Sequence, residues 1–254
     1  MDLWKILLLG AVVVGLVLLL QMGSRPVAVP EPLPGSLVEQ GTFAIEQAGQ
    51  RVGEEAFTVW LVEVGFRVDS EVRLTVSGQT VELAAELLLS PDWAPLAYTL
   101  VVQAPHGKQR VAARIAGEKV TFEAVAGLAR QDRELTGTPP FAVLDNNVIG
   151  HWHALHRFLR AAGRTGETQG TALIPQAFAA LPFRTQPPEP VGLKVGERTL
   201  PAERYRVQLA DQEVWLYGQG ELLLGVVFPA QLAVAYLEEV LPDGLIVVEP
   251  VPSH

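Results

Sequence analysis

Between Phe66 and Leu89 the chain alternates apolar and polar residues almost without a break, and that period of two dictates the class of fold. Phe66, Val68, Ser70, Val72, Leu74 and Val76 interleave with Arg67, Asp69, Glu71, Arg73 and Thr75. Successive side chains of an extended strand point to opposite faces, so this segment builds one buried and one solvated face. Ser77-Gly78-Gln79 supplies a turn, after which Val81, Leu83, Ala85, Leu87 and Leu89 alternate with Glu82, Ala84, Glu86 and Leu88. Two long strands joined by so short a connection pair antiparallel. The same pattern predicts strands at 42–47, 54–64, 96–104, 109–116 and 119–125, separated by Gly49, Gly65, Pro91-Asp92, His106-Gly107 and Gly117-Glu118. The first half of the folded region therefore reads as an antiparallel meander.

Two of these strands are apolar on both sides. Phe57, Val59 and Leu61 are backed by Trp60, Val62 and Val64, and Leu96, Tyr98, Leu100 and Val102 by Ala97 and Val101. A second apolar face is covered either by a helix or by the wall of an enclosed apolar cavity. One helix is available. Asp145-Asn146-Asn147 offers N-cap side chains, and Val148, Trp152, Leu155, Leu159 and Ala162 follow at helical spacing until Gly163. Arg157, Arg160 and Arg164 lie toward its C-terminus, where the macrodipole favours cations. Strands resume at 168–174, 192–195, 205–209, 213–217, 221–228, 232–240 and 245–249, with Gly218-Gln219-Gly220 as a hairpin turn. Over 230–241 the Ala, Leu and Glu content suits a helix as well as a strand.

The grammar of catalysis is missing. His151, His153 and His156 fall within six residues, and imidazole is a common metal ligand. On a helix, however, His151 points away from His153, and no acidic residue stands at i+4 from either His153 or His156, so the reading is a polar helix face with partly buried histidines. No metal and no cofactor are expected. Ser70, Ser77 and Ser90 lie outside any Gly-x-Ser-x-Gly elbow, and the acid pairs Glu54-Glu55 and Glu238-Glu239, adjacent on strands, face opposite ways. Gly218-Gln219-Gly220 lacks the third glycine and the following helix of a phosphate loop. The absence of cysteine excludes thiol catalysis, thiolate zinc sites and iron–sulfur clusters. A formal net charge of -9 argues against a polyanionic partner such as nucleic acid. The positive signal is an apolar surplus, 49% of residues, with aromatics spread over strands and helix. These either fill a core or line a container for acyl chains, and Trp60, Tyr98, Trp152 and Trp215 are the candidate ligand-lining residues.

Ahead of the β-rich region, every residue from Ile6 to Leu20 is apolar or Gly, and Leu3 and Trp4 extend the run across Lys5. That suits a single membrane span of about 18 residues. The following Gln21-Met22-Gly23-Ser24 offers no small-x-small cleavage site, which favours an uncleaved signal anchor over a signal peptide. Residues 25–36 contain four prolines and read as an extended tether. The expected organisation is a transmembrane signal anchor over 1–24, a Pro-rich tether over 25–36, and a β-rich envelope domain over 37–254. The expected place is the inner membrane, single-pass, with the folded domain on the extracytoplasmic side.

Three segments carry a resemblance. The stretch from Gly41 to Phe57 with its Gly49 and Gly53, the central Leu144-Asp145-Asn146-Asn147 leading into a helix, and the late run from Glu213 to Leu223 resemble uncharacterised bacterial envelope proteins of unknown function. Their architecture is similar to the unclosed β-barrel of lipoprotein and lipid carriers. The resemblance implies a mainly β fold, a single curved antiparallel sheet with one central helix as a lid over an apolar concavity. It implies no catalytic residues. The function expected is non-enzymatic binding of a lipid, an amphiphile or an acylated protein in an apolar groove. The alternative is an envelope assembly scaffold that docks a protein partner on a sheet edge.

Overall fold

The computed structural model describes residues 34–248 apart from 77, 105–106, 128, 146 and 162–165. The anchor expected over 1–24, most of the tether, and His106 lie outside the described residues. Within them no helix is long and apolar enough to cross a membrane.

The first half is the meander that the alternation predicts. β1 (Ser36–Gln47), β2 (Gln50–Val62), β3 (Gly65–Val76), β4 (Gln79–Leu89), β5 (Pro95–Ala104), β6 (Gly107–Ala116), β7 (Lys119–Ala126) and β8 (Ala129–Thr136) pair in sequence order, each antiparallel to the last. In β2 the period of two buries Glu55, Phe57 and Val59 and leaves Glu54 half-buried on the other face. Then come β9 (Phe141–Val143), α1 (Ile149–Ala161), β10 (Thr168–Ile174), β11 (Ala179–Thr185), β12 (Glu189–Val195), β13 (Arg198–Leu209), β14 (Gln212–Gln219), β15 (Leu222–Phe228), β16 (Ala233–Leu237) and β17 (Val247–Val248). β16 returns to pair with β1, Phe43 opposite Leu237 and Gln47 opposite Ala233, which joins both halves into one sheet. The far edge of β13 is shared: β12 pairs with residues 198–204 and β11 with 207–209. β9 and β10 form the one parallel pair described.

The sheet curls almost into a barrel without closing. β8 and β9 are its open edges, and the seam near β8 is bridged by side chains: Arg133 Nη1 donates to the Phe178 carbonyl at 3.0 Å, and Phe178 packs on Phe122 with ring centroids 5.7 Å apart. β8 was not legible as a strand because Ala129-Arg-Gln-Asp-Arg-Glu-Leu-Thr has no apolar face, and it is exposed along nearly its whole length. Charges on an unpaired edge deter further strand addition.

Two local readings change, and one open alternative is decided in favour of the strand. Gly218 and Gln219 belong to β14, and the turn is Gly220-Glu221, because a register shift between Tyr217 and Gly218 carries the strand further. Over 229–241 a short 3-10 turn at Pro229–Gln231 leads to β16, which is paired on both sides, with β15 and β1. Ladder bonds on two edges override the helix propensity of its alanines and leucines. The largest change concerns α1. Every residue from Ile149 to Leu159 is buried, so the helix is neither a lid nor an element with a polar face toward water. It fills the concavity of the sheet, and both its faces meet strands. Trp152 packs edge-on against Phe228 at 5.5 Å, His151 edge-on against Tyr98 at 4.9 Å and His156 edge-on against Tyr205 at 5.5 Å, while His153 meets Phe57 at a tilt, 5.2 Å between centroids.

The approach of sheet to helix depends on small residues. A Cβ at Gly218 would lie 2.1 Å from Nε2 of the buried His156. Gly218→Ala should therefore destabilise the protein by roughly 1–3 kcal/mol through overpacking. Gly166→Ala, where a Cβ meets nothing within 4 Å, should stay within about 0.5 kcal/mol of the parent in urea unfolding. Equal stability of the two variants would contradict the packing described.

Candidate functional site

A helix buried on all sides brings its polar groups inside with it, and each needs a partner there. At the N-terminus of α1 that partner comes from β2. Glu55, fully buried, accepts hydrogen bonds from the backbone N–H of Ile149 and, at 2.7 Å, of Gly150. The carboxylate thus satisfies two of the first-turn amides and faces the positive end of the helix dipole. Gly150 permits the approach, since a Cβ there would lie 2.4 Å from Ser70 Oγ. The expected cap residue Asp145 plays a different part: its Oδ1 accepts the Asn147 N–H at 2.9 Å and its Oδ2 the Tyr98 hydroxyl at 3.1 Å. Asn146 lies outside the described residues. Burial raises the pKa of Glu55 to about 7, against the pull of Ser70 and the two amides. Burial likewise raises Asp145, and it pushes His151 and His156 down to about 3, leaving both imidazoles neutral at neutral pH.

The other end of the helix carries an ion-pair network. Arg157 donates to Glu39 of β1 and to Glu221 in the β14–β15 turn, and its guanidinium lies 5.2 Å from the centroid of Trp93. His153 Nε2 stands 3.6 Å from Glu39 Oε2. Burial opposes the charge on Glu39, but His153 and Arg157 outweigh it and hold the pKa below the ordinary carboxylate value. Arg160 pairs with Glu203, whose Oε2 also accepts the Tyr205 hydroxyl at 3.1 Å. His151 and His153 thus meet different partners. Among the described residues no three His, Asp or Glu side chains are grouped as a metal ion would need.

The four expected lining residues divide between two faces. Tyr98 and Trp152 are buried against α1 and inside it respectively. Trp60 lies on the outer face of β2, where its Nε1 donates to Asp69 at 2.8 Å and Arg67 covers its ring. Trp215 is outside on β14, donating to Glu213 beneath Arg204. They do not converge on one cavity. A void among the buried residues beside His151, lined also by Leu87, Trp93, Phe141 and Phe158, measures about 10 Å³, room for about one water.

Space for a ligand lies at the mouth of the curled sheet, beside the N-terminal turn of α1. A crevice of about 380 Å³ opens there, with apolar walls from Ile45, Val52, Leu74, Ile149, Phe228 and Ala235. Glu46, Gln47, Thr75, Asn147 and Gln231 supply its polar groups. A larger concavity of about 860 Å³ crosses the outer face of β2, β3 and β4, but Arg73 in its lining pairs with both Glu54 and Glu82. Neither the alternation nor the aromatic count pointed to the mouth crevice, because strands from three separate hairpins build it.

No protein-family model matches the chain, and no curated protein matches it. Two solved structures share its outline. One is a β-barrel-like protein with a domain of unknown function, DUF1849, from Brucella abortus, at 9% identity, covering 83% of this chain and 95% of that one, TM-score 0.48. The other is a DUF1089 family protein from Pseudomonas aeruginosa, at 13% identity, covering 82% and 98%, TM-score 0.45.

The buried titratable groups make opposing contributions to stability. Glu55, raised from 4.5 to about 7, favours the folded state at low pH and loses that contribution as pH rises through this window. His151 and His156, lowered from 6.5 to about 3, favour the folded state at high pH and lose that contribution as pH falls from 6.5. Between pH 6.5 and 4.5 the Glu55 contribution therefore offsets part of the histidine loss. Glu55→Gln should steepen the fall in stability on acidification by up to about 1.4 kcal/mol per pH unit, measured as urea midpoints from pH 7 to 5. An unchanged slope would mean that Glu55 is not held as described.

Proposed function

We propose that this is a non-enzymatic envelope protein, attached to the inner membrane by its N-terminal apolar run with the folded domain on the extracytoplasmic side, that binds a single-chain amphiphile in the mouth crevice. The observation that carries the reading is the crevice itself. Its volume of about 380 Å³ falls within the range of about 300–1,000 Å³ typical of small-molecule sites, and its apolar walls carry a few polar groups at one side. The helix fills the interior, so an acyl chain is accommodated at the mouth rather than across the whole sheet. The polar groups also select. Glu46 is the charged residue of the lining, and the positive end of α1 is already taken by Glu55, so a neutral or zwitterionic headgroup fits better than an anionic one. Membrane attachment is supported by the uninterrupted apolar run at 6–20. The alternative, a scaffold docking a partner on a sheet edge, is less well supported, since the open edge β8 is densely charged.

The test uses the full chain in phosphatidylcholine nanodiscs, with lysophosphatidylcholine as the probe and native mass spectrometry as the readout. Binding of one molecule per chain is expected. Ala233→Trp, which fills the crevice, should weaken it by roughly tenfold or more, the scale of a lost apolar contact. Trp60→Ala and Trp215→Ala, which change the outer face, should retain it. Full retention by Ala233→Trp, or loss in the two outer-face variants alone, would contradict this placement of the site.

A further inference from the structure

The end of the sheet opposite the crevice carries a different kind of surface. Of the large apolar residues that stand exposed, Leu37, Val38, Leu61 and Val64 gather there, with Leu37 and Leu61 each about half exposed. The register brings them together: Ser36 is opposite Leu61 and Leu37 opposite Trp60 in the β1–β2 ladder, and Val64 lies in the turn that follows β2. The crevice is lined by Gln47 and Val52, at the other ends of the same two strands.

This clustering needs a reason. Consecutive residues of a strand normally point to opposite faces, yet Leu37 and Val38 are both exposed, at a register shift between Leu37 and Glu39. Exposed apolar residues in a row mark an interaction surface more often than a neutral one. Leu61 continues the alternation of Phe57 and Val59 but projects where those two are buried. The chain itself indicates what covers them. Residues 21–36 separate the patch from the apolar run that ends at Leu20, and Gly35 is already seated on β2, where a Cβ would lie 2.9 Å from the Leu61 carbonyl oxygen and 3.2 Å from Trp60 Cβ. The polypeptide therefore enters the domain at the patch. Trp60, half-buried beside it with its Nε1 on Asp69, is the residue type that sits at a membrane interface.

We propose that Leu37, Val38, Leu61 and Val64 rest on the surface of the bilayer that holds the N-terminal run, so that the crevice faces away from that membrane. The inference rests on the reading that residues 6–20 attach the chain. The sixteen residues from 21 to 36, four of them proline, do not by themselves impose such a contact. The patch does. Glu63, exposed within the same turn, favours a zwitterionic surface over an anionic one.

The absence of cysteine from the chain makes the test clean, because any introduced cysteine is the single labelling site. Leu61→Cys, Val64→Cys and, at the opposite end, Leu232→Cys are exposed positions. Each full-length variant is labelled with an environment-sensitive dye and reconstituted into phosphatidylcholine vesicles containing a fraction of doxyl-labelled phosphatidylcholine. Flotation on a density gradient reports attachment, and quenching reports contact. The expected result is co-flotation of all three variants with roughly twofold quenching at 61 and 64 and little at 232. Co-flotation without quenching at 61 and 64, or with equal quenching at 232, overturns the orientation and leaves attachment standing. A chain that does not float with the vesicles overturns both.

Discussion

Burying a helix on every side is the constraint on which the rest of this molecule depends. A helix that packs on one sheet keeps a face in water, where its polar side chains and terminal amides are satisfied by solvent. α1 has no such face, and from Ile149 to Leu159 all its residues are inside. Its first amides are therefore met by Glu55, a carboxylate 94 residues upstream on another element. Arg157 is met by Glu39 and Glu221 from two further strand ends, and Arg160 by Glu203. Each apolar side chain so buried contributes about 1.5–3 kcal/mol, but an unpaired charge in the same place would cancel a large part of that. The polar contacts fix which side of the helix meets which strand, while the apolar ones supply the driving force.

The filled interior leaves the two ends of the sheet as the places the proposed function can use. Tyr98 and Trp152 hold helix to sheet, Tyr98 against His151 and Trp152 against Phe228, and the void beside His151 has room for about one water. The two mouths then differ in kind. One is a walled apolar crevice beside the helix N-terminus, and the other is a set of projecting aliphatic residues where the polypeptide enters the domain. That difference is what the proposed reading uses: an amphiphile received at one end while the other end is held in place.

Much of the fold was legible because alternation is a local signal. The β3–β4 hairpin, the doubly apolar strands β2 and β5, and the helix after Asp145 follow directly from spacing. The helix covers the inner face of these strands, with Phe57 and Tyr98, whereas the second face, with Trp60, Ala97 and Val101, is the outer one and stays half-buried. What spacing does not contain is curvature. Whether α1 lies across a shallow sheet or inside a nearly closed one depends on the β1–β16 pairing, between residues about 190 positions apart in the chain. The histidines were misjudged for that reason: a polar stripe on a helix reads as solvent-facing until a second layer of strands covers it. Glu55 was seen as one of two acids on opposite faces, and nothing local marked its inward carboxylate as the helix cap. β8 escaped notice because an edge strand with no buried face does not alternate, and the crevice because its walls come from separate hairpins.

With α1 a permanent part of the core, the ligand space proposed above lies at the mouth beside it. Hydrogen–deuterium exchange on the full chain, with and without lysophosphatidylcholine, tests this most directly. The amides of 152–159 should be among the slowest to exchange and unchanged by the probe, while 45–52 and 231–235 should gain protection when it is added. Fast exchange across the helix that slows on addition of the probe would contradict it, showing instead a lid that opens onto an interior site.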